Sequence, residues 1–176
     1  MKTDFERAFI RAGRRGQALL QDELIALIPR EYGGHVAQLG GAVSLVFDIL
    51  MPGMSPSLAG EIALRVGEDA SLFYLGHIGY HVDPPFRGHA AALRACRLCV
   101  PVLSELGMRS FVITTDEDNL PSIRTCERLG CTLECTVDVP LWCRQEFSIS
   151  ARKRRYVYEP ADAKRRLNAV TAFLFA

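Results

Sequence analysis

Gly79-Tyr80-His81-Val82-Asp83-Pro84-Pro85-Phe86-Arg87-Gly88-His89-Ala90-Ala91-Ala92 is the stretch on which the reading of this chain turns. A run suited to a strand ends at Val82, two prolines redirect the backbone, and a helix of very small side chains begins near Ala90. Such a junction exposes amides. The first turn of a helix has N–H groups without internal acceptors and about half a positive charge, so backbone donors alone can hold a phosphate or diphosphate there. Gly88, Ala90, Ala91 and Ala92 have no bulk to keep such a ligand away.

Working outward, residues 90–106 predict a helix with Leu93, Cys96, Val100 and Leu103 on one side, bent at Pro101 and stopped by Gly107. Upstream, residues 61–66 and 72–82 are strand-like and separated by Gly67, Glu68 and Asp69, which predicts an antiparallel hairpin. Residues 42–50 predict another strand between the loops 32–41 and 51–57. The three-and-four spacing of apolar residues over 4–28 predicts an amphipathic helix interrupted near Gly13 and Gly16. Downstream come a strand at 111–115, a helix at 120–129 ended by Gly130, strands at 131–139 and 155–158, and a helix at 164–176. Residues 142–150 fit either period. Hairpins followed by strand–helix alternation imply a mixed α/β sheet of the α+β type with helices against it.

The chain has 176 residues, 49% hydrophobic and 23% charged, which predicts one domain over residues 1–176 with one core. With 21 Lys plus Arg against 20 Asp plus Glu, the net charge of +1 provides no field for nucleic acid or an acidic membrane. The apolar stretch 18–28 is broken by Gln21, Asp22 and Glu23, so neither a signal peptide nor a spanning helix is expected, and a cytoplasmic location is. Six cysteines without an export signal are expected to be reduced thiols. Cys96 and Cys99 have the gap of redox and zinc motifs, but they fall inside a helix beside Leu93 and Val100, where core packing is the expectation and metal is not. The basic run 152–155 reads as a solvated edge strand.

Arg87-Gly88-His89-Ala90-Ala91-Ala92 resembles the acyl-CoA-binding motif of the GNAT acetyltransferase superfamily: Arg or Gln, two residues, Gly, one residue, then Gly or Ala. Gly76 to Pro84 resembles the strand that precedes that motif. The segment from Asp118-Asn119-Leu120-Pro121-Ser122 to Glu127-Arg128-Leu129-Gly130 resembles the family's Asn, two residues, Ala or Ser, and a helix ending in Tyr-Glu-Lys-x-Gly-Phe.

The resemblance implies a mostly antiparallel sheet splayed between its fourth and fifth strands, with helices on both faces and acetyl-CoA lying in the gap. It implies direct transfer of acetyl to an amine of a small molecule or peptide. Backbone amides at Tyr80, His81 and Val82 would bind the thioester carbonyl. Arg87, Gly88, His89, Ala90, Ala91 and Ala92 would surround the diphosphate, and Asn119 and Ser122 would meet the CoA arm. Many members have Tyr at the position of Cys126, where it protonates the departing thiolate. A thiol is a shorter and weaker donor, so a buried inert cysteine, a water-borne proton and an acyl-cysteine intermediate all stand as readings. A base is also needed, because a lysine-like amine has a pKa near 10.4; Tyr80, His81 and His77 are the candidates. Two other functions compete: an acyl-CoA-binding sensor without catalysis, and a cysteine-based zinc or redox protein. Apolar faces of the terminal segments allow a homodimer.

Overall fold

A computed structural model describes residues 4–33 and 42–160. Eight strands form one sheet: β1 (Leu20–Gln21), β2 (Ala26–Tyr32), β3 (Val43–Leu50), β4 (Leu58–Val66), β5 (Ile78–Val82), β6 (Phe111–Thr115), β7 (Thr132–Asp138) and β8 (Arg152–Tyr158). Their spatial order is β1-β2-β3-β4-β5-β6-β8-β7. Every neighbouring pair is antiparallel except β5 and β6, which are parallel. The helices are α1 (Asp4–Arg15), α2 (Leu72–Leu75), α3 (Ala91–Glu105), α4 (Leu120–Leu129) and α5 (Leu141–Phe147).

The registers Phe47↔Ile62↔Tyr80 and Leu45↔Leu64↔Ile78 put alternate residues of β3, β4 and β5 on one face. Leu45, Phe47, Ile62, Leu64 and Ile78 are buried there. α1 lies on this face, with the Phe9 ring edge-on to Phe47 at 4.9 Å, and α3 packs on β4, β5 and α4. The opposite face carries Asp48, Glu61, Arg65 and His81 by the same alternation. Arg30 bridges Asp48 at 2.8 Å and Glu61 at 2.6 Å. α2 and α5 sit on that side: Thr114 Oγ1 donates to Tyr74 O at 2.8 Å, and Trp142 packs edge-on against Tyr74.

Three expectations change. The predicted helix over 4–28 ends at Arg15, and the chain then makes the β1–β2 hairpin. Asp22 makes that turn, its Oδ1 accepting from Leu24 N and Ile25 N at 2.8 and 2.9 Å. Residues 72–82 are not one strand, because α2 and a break at Gly76 precede β5. Gly76 has φ +73°, and a Cβ there would lie 2.9 Å from Val112 O. The ambiguous stretch 142–150 supplies most of α5, whereas Pro101 is accommodated inside α3. The helix predicted at 164–176 lies outside the described residues.

β5 and β6 are paired only at Ile78↔Ile113. Just before that point His77 N donates to Val112 O at 2.7 Å, and Val112 N donates to His77 Nδ1 at 3.0 Å. Beyond it the strands separate. Since β1 is only two residues long, the fifth and sixth strands here are the fourth and fifth of the expected splay.

Candidate active site

The separation of β5 from β6 opens a cleft of about 200 Å³. Gly79, Thr114 and Asp116 line it from one face of the sheet, Tyr80, Thr115 and Ser122 from the other, so the gap passes through the sheet. The ladder decides which amides face it. Arg65 N donates to His77 O at 2.7 Å and Asp83 N to Ala59 O at 2.9 Å. Those bonds put the exchanging pairs at odd-numbered residues of β5, so the main-chain groups of Tyr80 and Val82 point into the gap and those of His81 point to β4.

At the end of β5 the chain makes one 3-10 turn, Pro84–Phe86, anchored by buried Phe86. Gly88 follows with φ +89°, then Ala90 with φ 58° and ψ 25°, and α3 begins at Ala91. The amides of residues 88–93 have no acceptor among the described residues; the first amide to be accepted is that of Arg94, by Ala90 O at 3.0 Å. Six consecutive free N–H groups at a helix start form an anion-binding concavity. Arg87 folds back, its Nε donating to Val82 O at 3.0 Å. His89 is exposed with Nδ1 3.3 Å from Arg87 O. Ala91 and Ala92 occupy the first turn of α3, and the left-handed Ala90 stands where the family motif has glycine.

On α4, Asn119 is the N-cap, its Oδ1 accepting from Ser122 N at 3.2 Å. Ser122 Oγ is 2.8 Å from the Tyr80 hydroxyl, which also interacts with the Cys126 thiol. Burial pushes the Tyr80 phenol well above its usual range. Cys126 is fully buried, and burial followed by its neighbour Cys131 pushes its thiol up to about 12. It is therefore protonated at neutral pH and poorly suited to nucleophilic attack. Cys96 and Cys99 are buried in α3 and also shifted upward by burial, as core packing demands.

The three candidate bases part company. Tyr80 faces the cleft, but as a phenol that holds its proton. His81 projects from the opposite face, largely exposed, with Nε2 3.1 Å from Asp83 Oδ1. His77 is buried at the joint of β5 and β6, with its Nδ1 already accepting from Val112, and so is not available to a substrate.

Three residues not singled out from the sequence, Thr115, Asp116 and Arg65, belong to this region, together with Lys153 of the basic run. Thr115 Oγ1 is buried without a partner among the described residues, on the cleft wall. Lys153 Nζ lies 2.6 Å from Asp116 Oδ1, both lining the gap. Arg65 lies over Gly79. The basic run is thus not wholly solvated: Arg155 is 6% exposed, bonded to Glu134 at 2.8 Å and stacked on Phe73. Among the described residues no three His, Cys, Asp or Glu side chains converge on a metal position, and no helix is long and apolar enough to cross a membrane.

Residues 40–132, more than half of the chain, match the family model described as an acetyltransferase (GNAT) domain. No protein of curated function matches the sequence. Solved structures share the fold. One is the microcin C7 self-immunity acetyltransferase MccE in complex with acetyl-CoA and AMP, at 22% identity and TM-score 0.52 over 66% of this chain and 61% of that one. Another is RimL, a ribosomal L7/L12 α-N-protein acetyltransferase in complex with coenzyme A, at 19% identity and TM-score 0.51 over 71% of this chain and 64% of that one. A third is a GNAT-family acetyltransferase from Bacillus anthracis, at 18% identity and TM-score 0.50 over 65% of each chain. The chain spans under two thirds of the length of each of these structures. The matched residues run from before β3 through the splayed joint and the amide-lined turn to the end of α4, and they place the chain in the GNAT acetyltransferase family.

Proposed function

We propose that this protein is an acetyl-CoA-dependent N-acetyltransferase that transfers acetyl directly to an amine of a small molecule or peptide. One observation carries the proposal: a parallel strand pair that meets at a single residue pair and then opens toward six unaccepted amides. A pantetheine arm can lie along β5 as a short extra strand, with its amides and carbonyls meeting the main-chain groups of Tyr80 and the N–H of Val82, whose carbonyl Arg87 holds, and its diphosphate resting on the amides of residues 88–93. Arg87 and His89 flank that turn, Ala90, Ala91 and Ala92 let the phosphates approach, and Asn119 and Ser122 border the arm. Thr115 Oγ1 offers the arm a further hydroxyl.

In the transfer, the amine nitrogen attacks the thioester carbon, the N–C bond forms and the C–S bond breaks. The developing oxyanion is met by an amide already aimed into the cleft, an effect worth about 3–4 kcal/mol per donor where it has been removed elsewhere. The departing thiolate takes its proton from the Tyr80 hydroxyl. Burial keeps that phenol protonated, so it is present as a donor and cannot serve as the base, while the same shift makes it a weaker acid. Tyr80 on β5 thereby supplies, beside Cys126, the phenol that α4 lacks at that position, and Cys126 takes no chemical part. The proton lost by the amine goes to His81, steadied by Asp83 on the opposite face. A cytoplasmic site of action and a single domain belong to the same proposal.

The alternative, an acyl-CoA-binding module without catalysis, draws on Cys126 at the usual tyrosine position. Calorimetry with acetyl-CoA combined with thiol release across an amine panel tests both. Saturable binding with amine-dependent release is expected. Binding without release for any amine favours the module, and absence of binding overturns both.

A further inference from the structure

Arg65 on β4 differs from the bridging arginines. Arg30, Arg94, Arg152 and Arg155 each meet at least one carboxylate. No carboxylate faces Arg65 among the described residues. Its Nη1 donates to Gly76 O at 3.1 Å and to Leu75 O at 3.5 Å, and burial lowers its pKa. Two carbonyls satisfy N–H groups but do not neutralise a charge, and a buried cation without a counter-ion is costly.

The position of that charge is informative. The guanidinium lies against Gly79, where an added Cβ would be 3.1 Å from Nη2 and 3.2 Å from Nη1. Gly79 lines the gap, so the absent side chain leaves the guanidinium beside the opening. Arg65 stands across from His77, at the opposite end of β5 from Val82 and the amide-lined turn, so a CoA diphosphate is not its partner. Two residues farther along the same face, His81 pairs with Asp83 and faces Glu61 across the ladder. This face of β5 therefore has a cation at one end of Gly79 and a histidine with carboxylates at the other.

We propose that Arg65 binds the free carboxylate of the acceptor, and that the acceptor is an α-amino acid whose amine is thereby turned toward the thioester and His81. This rests on the acetyl-transfer proposal above. A guanidinium matches a carboxylate with two parallel N–H donors, a fit that a peptide carbonyl cannot reproduce. An α-amino acid separates its amine from its carboxylate by one carbon, and Tyr80, whose amide faces the gap, directly follows Gly79, against which the guanidinium lies. A peptide N-terminus has an amide at that place and forfeits the ion pair.

The test uses product analogues, so no acceptor need be known. CoA-saturated protein is titrated calorimetrically with N-acetyl derivatives of the common α-amino acids and with their matched C-terminal carboxamides. At least one acid should bind tenfold or more tighter than its amide. Arg65→Gln should erase that preference while the Kd for acetyl-CoA stays within twofold, and Arg65→Lys should keep part of it. Gly79→Ala retains the charge but displaces the guanidinium, and should weaken the acid selectively. Acids that bind no better than their amides, or a preference that survives in Arg65→Gln, overturn the inference and leave acetyl transfer standing. Wild-type protein that does not bind CoA overturns both.

Discussion

Ala90 offers a way to separate the stability of the amide-lined turn from its affinity. Its left-handed backbone, φ 58° and ψ 25°, costs an L-residue about 1–2 kcal/mol. Ala90→Gly removes that cost, while the extra freedom of glycine in the unfolded chain returns about 0.5–1 kcal/mol. The net expectation is a gain of about 0.5–1 kcal/mol, or about 1–4 °C in Tm for a chain of this size, with the Kd for acetyl-CoA nearly unchanged. Ala90→Asp tests the charge. Asp tolerates the left-handed region better than most residues, so the fold should survive, but its carboxylate would stand beside the bound diphosphate. At about 5 Å and an effective dielectric of about 20, each phosphate charge adds about 3 kcal/mol of repulsion, about a hundredfold in Kd. Thermal denaturation and calorimetry with acetyl-CoA read the two effects separately. A folded Ala90→Asp protein that binds acetyl-CoA as tightly as wild type would show that the diphosphate does not rest on these amides, and the assignment of residues 88–93 would fall. Gly88 is a poorer site for the same test, since its φ of +89° makes any side chain there a folding problem as well.

Tyr80→Phe should reduce kcat by roughly a hundredfold or more while leaving the Kd for acetyl-CoA within about twofold, as loss of an acid in the chemical step requires; unchanged turnover refutes the acid role. Cys126→Ala should lower Tm, because a buried thiol is lost from the packing around Tyr80, yet keep kcat within about a factor of three; a loss beyond about a hundredfold would instead mark Cys126 as a participant. Gly60→Ala should cost roughly 3 kcal/mol or more, since a Cβ there would fall 2.1 Å from His81 O at a φ of +147°; near wild-type stability in urea would contradict the backbone described for β4 and β5. His77 has its pKa lowered by burial, among Glu68, Arg65, Arg155 and the Gly67 carbonyl, and its Nδ1 must stay unprotonated to accept from Val112. Its neutral ring therefore contributes full stability above the unfolded value of about 6.5, and that contribution is lost as the pH falls from there through the folded pKa. Chemical denaturation between pH 7.5 and about 5 should show this loss in wild type and not in His77→Gln, and equal slopes would refute it.

The parts of the site that were legible in the sequence are those whose cause is local. Pro84-Pro85 ends β5, the small residues at 88–92 open α3, Asn119 caps α4 and Gly130 closes it; each acts within a few residues of itself. The misread segments depend on distant partners. Leu24, Ile25, Leu27 and Ile28 satisfy a helical spacing and also, through Ile25 and Leu27, a strand spacing; the Asp22 turn and pairing with β3 decide for the strand. Gly76 breaks the run 72–82 because Val112 and Thr114, more than thirty residues later, occupy the space where a side chain would go. Arg155 looked like a solvated charge until Phe73 of α2 covered it.

The same distinction bears on the exchange of chemistry proposed between Tyr80 and Cys126. Read along α4, Cys126 is a missing hydroxyl, and no local pattern says where a substitute would lie. The register Ile62↔Tyr80 has no bulge, so Tyr80 faces the same side as the buried residues of β4 and its ring reaches under α4 to Ser122. A one-residue bulge in β5 would turn the phenol to the opposite face and exchange the sides on which Tyr80 and His81 stand. The acid and base assignments therefore stand on the parity of five residues. Because Tyr80 and His81 have opposite orientations and serve different proton transfers in the proposal, the losses in kcat from Tyr80→Phe and His81→Gln should multiply in the double variant. A double variant no slower than the slower single one would mean that the two side chains act as one unit, contrary to their placement on opposite faces.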